Sequence, residues 1–222
     1  MRAVEKKESK GSLHWIRLFV NERTDILDQA VREACQFDRE TTIEWVSPLA
    51  SDEFAEYRDQ DFLDRLNVSL PLVSLKSFWP NMGPQWDALA RTSAGEIVLV
   101  EAKANVPEIV SPGTGASAES RQLIEQSLAA TKGYLGVDSD IRWSGKLYQY
   151  ANRIAHLYLM RELNKIPTYM VFVYFVGDRD VSGPESVAEW KAAITVAKRV
   201  LGLSGRSKLA KYIAEVYIDV EA

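Results

Sequence analysis

Gln85-Trp86-Asp87-Ala88-Leu89-Ala90-Arg91-Thr92-Ser93-Ala94-Gly95-Glu96-Ile97-Val98-Leu99-Val100-Glu101-Ala102-Lys103 reads as a strand, a tight turn and a second strand. Ser93-Ala94-Gly95 suits a three-residue hairpin turn with Gly95 as the left-handed residue that closes it. Such a turn pairs Thr92 with Glu96, and counting back along both strands sets Asp87 opposite Glu101. Strand side chains alternate between faces. Ile97, Leu99, Glu101 and Lys103 therefore share one face, and Val98, Val100, Ala102 and Ala104 the other. Asp87 shares its face with Leu89. Two carboxylates and one ammonium converge at the open end of the hairpin.

Opposed residues in such a pair have Cβ atoms roughly 4.5–5.5 Å apart. Two carboxylates at about 4 Å repel by about 4 kcal/mol at an effective dielectric near 20. Lys103 relieves part of this, and a bound cation would relieve more. Carboxylate oxygens are ligands that Mg²⁺ and Mn²⁺ prefer. A register slip of one residue would part the two acids across the sheet. A Glu-x-Lys in a strand is by itself usually a solvated pair. Here the charges end an apolar strand, and the Asp stands at the matching position of the strand before it.

Outward from the hairpin, the spacing of Ile16, Phe19, Val20, Ile26, Leu27, Ala30, Val31 and Ala34 suits one broken helix or two consecutive helices over 12–20 and 24–35. Thr24 or Asp25 is the expected cap of the second. Residues 41–46 read as a short strand stopped by Pro48. Ser51 is expected to cap a helix running to about Leu66. Glu56 within it is either a further carboxylate for the metal or, more commonly for such a residue, part of a wet helix face. Residues 71–78 read as strand-like, and 79–84 as a turn-rich approach to Asp87. Trp79 and Trp86 are expected to pack in the core or cover the sheet end, with base stacking the less common alternative. Residues 105–115 read as a Pro/Gly loop, with Gly113-Thr114-Gly115 as a flexible connector. Helices follow over 117–135 and 144–164, then a buried strand over 169–176, a helix over 185–201 and a strand over 212–220. The expected fold class is α/β: a mixed sheet flanked by helices, with additional N-terminal helices.

In the helix expected over 144–164, Lys146, Gln149 and Arg153 recur at three and four residues and would share one face. A polar stripe on an amphipathic helix is usually its wet side. Beside the carboxylates it becomes a phosphate clamp, with Arg153 bidentate, Lys146 a point charge and Gln149 an orienting donor.

The chain has 222 residues, 46% hydrophobic and 26% charged, enough for one domain with a substantial core. Residues 1–11 are expected to be a mobile tail and 12–222 a single domain with its core at about 41–176. The first ten residues are charged and lack the apolar run of a secretory signal. No apolar stretch reaches the roughly 20 residues that span a bilayer, so no membrane partner is expected. The single cysteine excludes an intrachain disulfide and a Cys-rich zinc site, and points to a cytoplasmic location. Two distant histidines, His14 and His156, argue against His-rich metal centres. Phosphate-binding glycine loops of the nucleotide-binding folds are missing from the sequence. A net charge of −4 disfavours tight, non-specific binding to nucleic acid.

Asp87 followed by Glu101-Ala102-Lys103 resembles the motif of the PD-(D/E)XK nuclease superfamily, an Asp on one strand and (Asp/Glu)-x-Lys on the next, and the resemblance implies a restriction-endonuclease-like mixed sheet flanked by helices. Trp86 stands where a proline often precedes the Asp. The 144–164 segment, with Lys146, Gln149 and Arg153, looks like the Gln-containing helix of some branches. The resemblance implies that Asp87, Glu101 and Lys103 are catalytic. It implies that Asp87, Glu101 and the Ala102 carbonyl ligate Mg²⁺ or Mn²⁺. Lys103 would orient or activate the attacking water, and Lys146, Gln149 and Arg153 would contact nucleic acid. The implied function is metal-dependent hydrolysis of nucleic acid, DNA before RNA. Paired cleavage of a duplex would favour a homodimer. The alternative is a nuclease-like module that binds nucleic acid or a protein partner without cutting.

Overall fold

The hairpin at 88–103 lies inside a five-stranded mixed sheet. The structure, a computed structural model, describes residues 1–4, 10–137, 140–203 and 205–222. In chain order its main elements are strand β1 (Arg2–Ala3), helices α1 (Ser12–Asn21) and α2 (Thr24–Cys35), and strands β2 (Ile43–Ser47) and β3 (Glu56–Tyr57). Helices α3 (Gln60–Arg65) and α4 (Leu75–Phe78) precede strands β4 (Ala88–Thr92) and β5 (Ile97–Lys103). Helices α5 (Ala118–Leu135) and α6 (Tyr148–Tyr158), strand β6 (Thr168–Val176), helix α7 (Val187–Val200) and strand β7 (Ile213–Asp219) complete the chain.

The sheet order is β2-β4-β5-β6-β7, antiparallel from β2 to β5 and parallel from β5 to β7. Ala88 faces Val100 and Arg91 faces Ile97, the register that the turn at Gly95 dictates. Gly95 has φ +92°, and its N–H donates to the Thr92 carbonyl at 3.0 Å. Only glycine takes that conformation without strain. Strand β6 is buried along eight of its nine residues, as expected of a central parallel strand covered on both faces.

Helices cover both faces. Ile16, Phe19, Leu27 and Val31 of α1 and α2 pack on Val98, Val100, Ala102, Val171 and Val173. Helices α3 to α7 pack on the opposite face, which carries Leu89, Leu99, Met170, Phe172 and Tyr174. Glu101 and Lys103 belong to this second face by alternation, beneath α6. No helix among the described residues is long and apolar enough to cross a membrane.

Several local expectations need correction. Residues 51–66 do not form one helix. A 3₁₀ turn at Ala50–Asp52 gives way to β3, and α3 starts only at Gln60. Glu53, Phe54 and Asp59 take positive φ, which no helix interior accommodates. Residues 75–78 are helical, not strand-like, because the Ser74 side chain accepts from the Ser77 N–H and caps the turn. Helix α2 has no side-chain cap; Thr24 Oγ1 donates back to the Val20 carbonyl at 3.0 Å instead. Helix α6 begins at Tyr148 rather than 144, and its last turn widens into a π-helix at Leu159–Leu163. Arg2 and Ala3 pair with Tyr57 and Glu56, so this part of the expected tail is strand; most of the rest of that tail, 5–9, lies outside the described residues.

Candidate functional site

Strand β4 stops at Ala88, while β5 runs on to Lys103. The backbone of Ala102 therefore lacks a β4 partner, and the Asp87 side chain takes the place of one: its Oδ2 accepts from the Ala102 N–H at 2.6 Å. In an extended strand a residue's N–H and C=O point the same way. The Ala102 carbonyl accordingly turns toward the Asp87 side as well. This local arrangement fixes the acid that the hairpin count places opposite Glu101.

Glu101 is 2% exposed and carries two cations. Lys103 Nζ donates to Oε1. Arg153, from the middle of α6, donates from Nε to Oε2 at 2.6 Å. The same guanidinium donates from Nη2 to the Gln85 carbonyl at 2.7 Å and from Nη1 to Asn152 Oδ1 at 2.9 Å. Its centre lies 4.9 Å from the Trp86 ring. Gln85 in turn donates from Nε2 to Glu56 Oε2 at 2.6 Å. Glu56 is buried and faces the same space, brought there by the short β3 ladder rather than by a helix.

These groups line a cleft of about 410 Å³. One wall is the 82–85 loop, held by Asp59, which accepts from the Gly83 N–H at 2.9 Å. The other is Ser111–Gly113, held to the entry of α6 by the Ser111 N–H donating to the Lys146 carbonyl at 2.7 Å. Ser12, Tyr148, Gln149 and Asn152 complete the lining. Larger depressions, of about 530 Å³ along α5 and about 670 Å³ along α2, bring together no comparable set of buried acids and cations. Chemistry, not size, marks the cleft between them.

The electrostatics are unequal. Burial raises the Asp87 carboxyl well above its usual range, Glu101 and Glu56 push the same way, and Lys103 and the Ala102 N–H oppose them without cancelling. Burial pushes Glu101 upward too, but Arg153 and Lys103 outweigh it and hold that carboxyl low. For Lys103 burial works against the charge, yet Glu101 and Asp87 prevail and the ammonium is held protonated. With every group ionised, the three acids and two bases that line the cleft would leave one negative charge in excess.

That imbalance bears on whether Mg²⁺ or Mn²⁺ fits. Among the described residues no three His, Cys, Asp or Glu side chains stand close enough together to hold a metal ion. The fit rests on fewer side chains: Asp87, whose Oδ1 takes no hydrogen bond from the described residues, the Ala102 carbonyl, and Glu101 if an ion shares Oε1 with Lys103. A divalent cation is the species that would relieve the excess charge on Asp87.

Of the residues expected from sequence, the structure gathers Asp87, Glu101, Lys103, Glu56, Gln149 and Arg153. It leaves Lys146 out: this residue precedes α6, its side chain is exposed and it does not line the cleft. Arg153 is present but committed to Glu101, Gln85 and Asn152, so it is not a spare phosphate clamp. Gln85, Asn152, Tyr148 and Ser12 were not foreseen. Tyr148 and Asn152 are four apart, hence on one face of α6 with the cleft, and an Asn inside an apolar-periodic helix is a usable signal. Ser12 gave none, since only tertiary packing brings it there. Comparison of the chain with family models, with curated proteins and with solved structures returns no match.

Proposed function

We propose that this protein hydrolyses phosphodiester bonds of nucleic acid, DNA in the first place, with Mg²⁺ or Mn²⁺. The observation that supports this most is the convergence of Asp87, Glu101 and Lys103 on one cleft floor in the register counted from the turn. The acid pair and the amine are the parts the PD-(D/E)XK resemblance calls for. The mixed sheet flanked by helices agrees with it at the level of fold class.

When bound, the metal would lower the pKa of its water and offset charge on the phosphate. Asp87, the Ala102 carbonyl and Glu101 would hold it. Lys103, kept protonated by Glu101 and Asp87, donates hydrogen bonds to a non-bridging phosphate oxygen and does not take a proton. Its role is thus electrostatic and not that of a base. In the reaction the oxygen of water forms a bond to phosphorus, the bond from phosphorus to the leaving ester oxygen breaks, and that oxygen leaves with a proton from solvent. The attacking water gives up its own proton to solvent or to a substrate phosphate oxygen. Arg153 acts one step back, holding Glu101 and the Gln85 backbone in place.

The test is incubation with linear, circular, single-stranded and duplex DNA with Mg²⁺, Mn²⁺ or EDTA. Metal-dependent cleavage that disappears in Asp87→Ala, Glu101→Ala and Lys103→Ala, with folding retained, is the expected result. Full activity in the Asp87→Ala, Glu101→Ala double variant would refute the proposal.

A second reading, a module that binds nucleic acid or a protein partner without cutting, is favoured by one observation: both Glu101 oxygens are already engaged by cations. Calorimetric titration separates the two. A specific Mn²⁺ site that Asp87→Ala removes favours the hydrolase, and no heat of binding favours the module.

A further inference from the structure

The charged groups of the cleft wall are Glu56, Asp87, Glu101, Lys103 and Arg153. Both cations are bound to Glu101. The remaining walls are neutral: Ser12, Met82, Gly83, Pro84, Gln85 and Ser111 to Gly113 on the loops, with Tyr148, Gln149 and Asn152 on α6. A duplex is held mainly by lysines and arginines set along successive phosphates, each releasing a counterion. Among the described residues this cleft offers no such row.

It offers an aromatic platform. Tyr148 is the first residue of α6, is half-buried and lines the cleft. Its ring lies nearly parallel to that of Trp79, with centroids 6.3 Å apart and planes at 20°. Trp79 is buried and does not line the cleft, so it backs the tyrosine from the core side. A rigid ring beside neutral amides suits an unpaired base, whose π-face stacks and whose edge hydrogen-bonds. A base still paired in a duplex has its π-face covered by its neighbours and its Watson–Crick edge occupied.

Resting on the hydrolase reading, we infer that the substrate is an unpaired DNA strand, with one base stacked on Tyr148 and one phosphate at Asp87, Glu101 and Lys103. Gln149 lies on the same helix, is half-buried within the cleft and is placed to meet the base edge.

Fluorescence anisotropy tests this with a labelled single-stranded oligonucleotide and the matching duplex, in Ca²⁺ in place of Mg²⁺, across about 50–200 mM salt. Three results are expected. The single strand binds about tenfold or more tighter than the duplex. Its affinity falls with salt at a logarithmic slope near that of about one phosphate contact, roughly −0.7. Tyr148→Leu weakens single-strand binding about tenfold, and Tyr148→Phe, which keeps the ring, recovers most of it. Equal or tighter binding of the duplex, a slope worth several phosphates, or a Tyr148→Leu protein that binds like the parent overturns the inference, as does the absence of binding to either. The two readings fail separately. Mg²⁺-dependent cutting of duplex that ignores Tyr148 leaves the hydrolase standing and removes the single-strand preference. Tyr148-dependent strand binding without cutting in any metal does the reverse.

Discussion

The guanidinium of Arg153 donates from Nε to Glu101 Oε2 at 2.6 Å while its Nη2 holds the Gln85 carbonyl at 2.7 Å. One side chain thus neutralises the acid that ends β5 and ties down the segment entering β4. Removing it leaves Glu101 buried with Lys103 alone. Arg153→Ala should cost about 3–5 kcal/mol, the usual penalty for stranding half of a buried pair. Arg153→Lys should recover only part of this, since an ammonium lacks the fork that reaches both acceptors. Urea denaturation measures both, and a loss under about 1 kcal/mol for the alanine variant would show that Glu101 is compensated by other groups.

Asp87 is the counterpart: a carboxyl in surplus. Its upward shift means that the ionised form is disfavoured in the folded, metal-free protein. Asp87→Asn removes that charge and keeps an oxygen able to accept from the Ala102 N–H. In EDTA the variant should be more stable than the parent by about 0.5–2 kcal/mol while losing cleavage. Added Mg²⁺ should raise the parent's Tm and leave the variant's unchanged. Calorimetric scans with and without the ion decide it; an Asn variant that still gains stability from Mg²⁺ would place the ion on other groups.

His156 gives a pH signature independent of activity. Burial among Phe78, Trp79 and Trp86, aided by the charge of Arg153, lowers it to about 3 against the opposing pull of the Asn152 carbonyl. The folded state holds it neutral, while the unfolded chain protonates it near its ordinary value of 6.5. Its contribution is therefore complete above that value and is lost as pH falls from there toward about 3. Between about pH 7 and pH 4.5, acidification should destabilise the parent by about 2–3 kcal/mol more than His156→Leu. Equal pH dependence in the two proteins would count against a buried neutral imidazole.

Two glycines in one loop should respond differently. Gly113 has φ +87°, and a Cβ there would sit 2.9 Å from the Ser144 carbonyl oxygen. Gly113→Ala should cost about 1–2 kcal/mol and raise KM for DNA by shifting the cleft wall. A Cβ at Gly115 would meet nothing within 4 Å. Gly115→Ala should stay within about 0.5 kcal/mol of the parent. Thermal melts and steady-state kinetics on the pair check this.

The hairpin was legible because its register follows from a local turn: Gly95 sets the pairing, and alternation does the rest. The long helices and buried strands were legible from periodicity, and Gly136, left-handed after α5, marked that helix's end. Glu56 was harder to place. Its neighbours 51–66 have helical composition, but β3 forms through pairing with Arg2, Ala3 and Trp86, partners far away in sequence. Lys146 falls off the expected shared face for a related reason: three- and four-residue spacing means one face only inside a helix, and α6 starts after it. The engagement of Arg153 with Glu101 was invisible because it depends on how α6 lies over β5. Sequence spacing locates chemistry within an element; what that chemistry touches is decided between elements.

Strand β5 pairs antiparallel with β4 across a short turn, but parallel with β6 only after the α5 and α6 crossover has closed. During folding the hairpin that carries Asp87, Glu101 and Lys103 can form early, with its acids still in water. Loop-closure entropy leads one to expect Arg153 later, with the crossover that also brings β6 alongside. Desolvation of Glu101 and delivery of its guanidinium are thereby coupled in time, and a nascent chain halted before α6 would expose an acidic hairpin with a bare apolar flank for chaperones to bind.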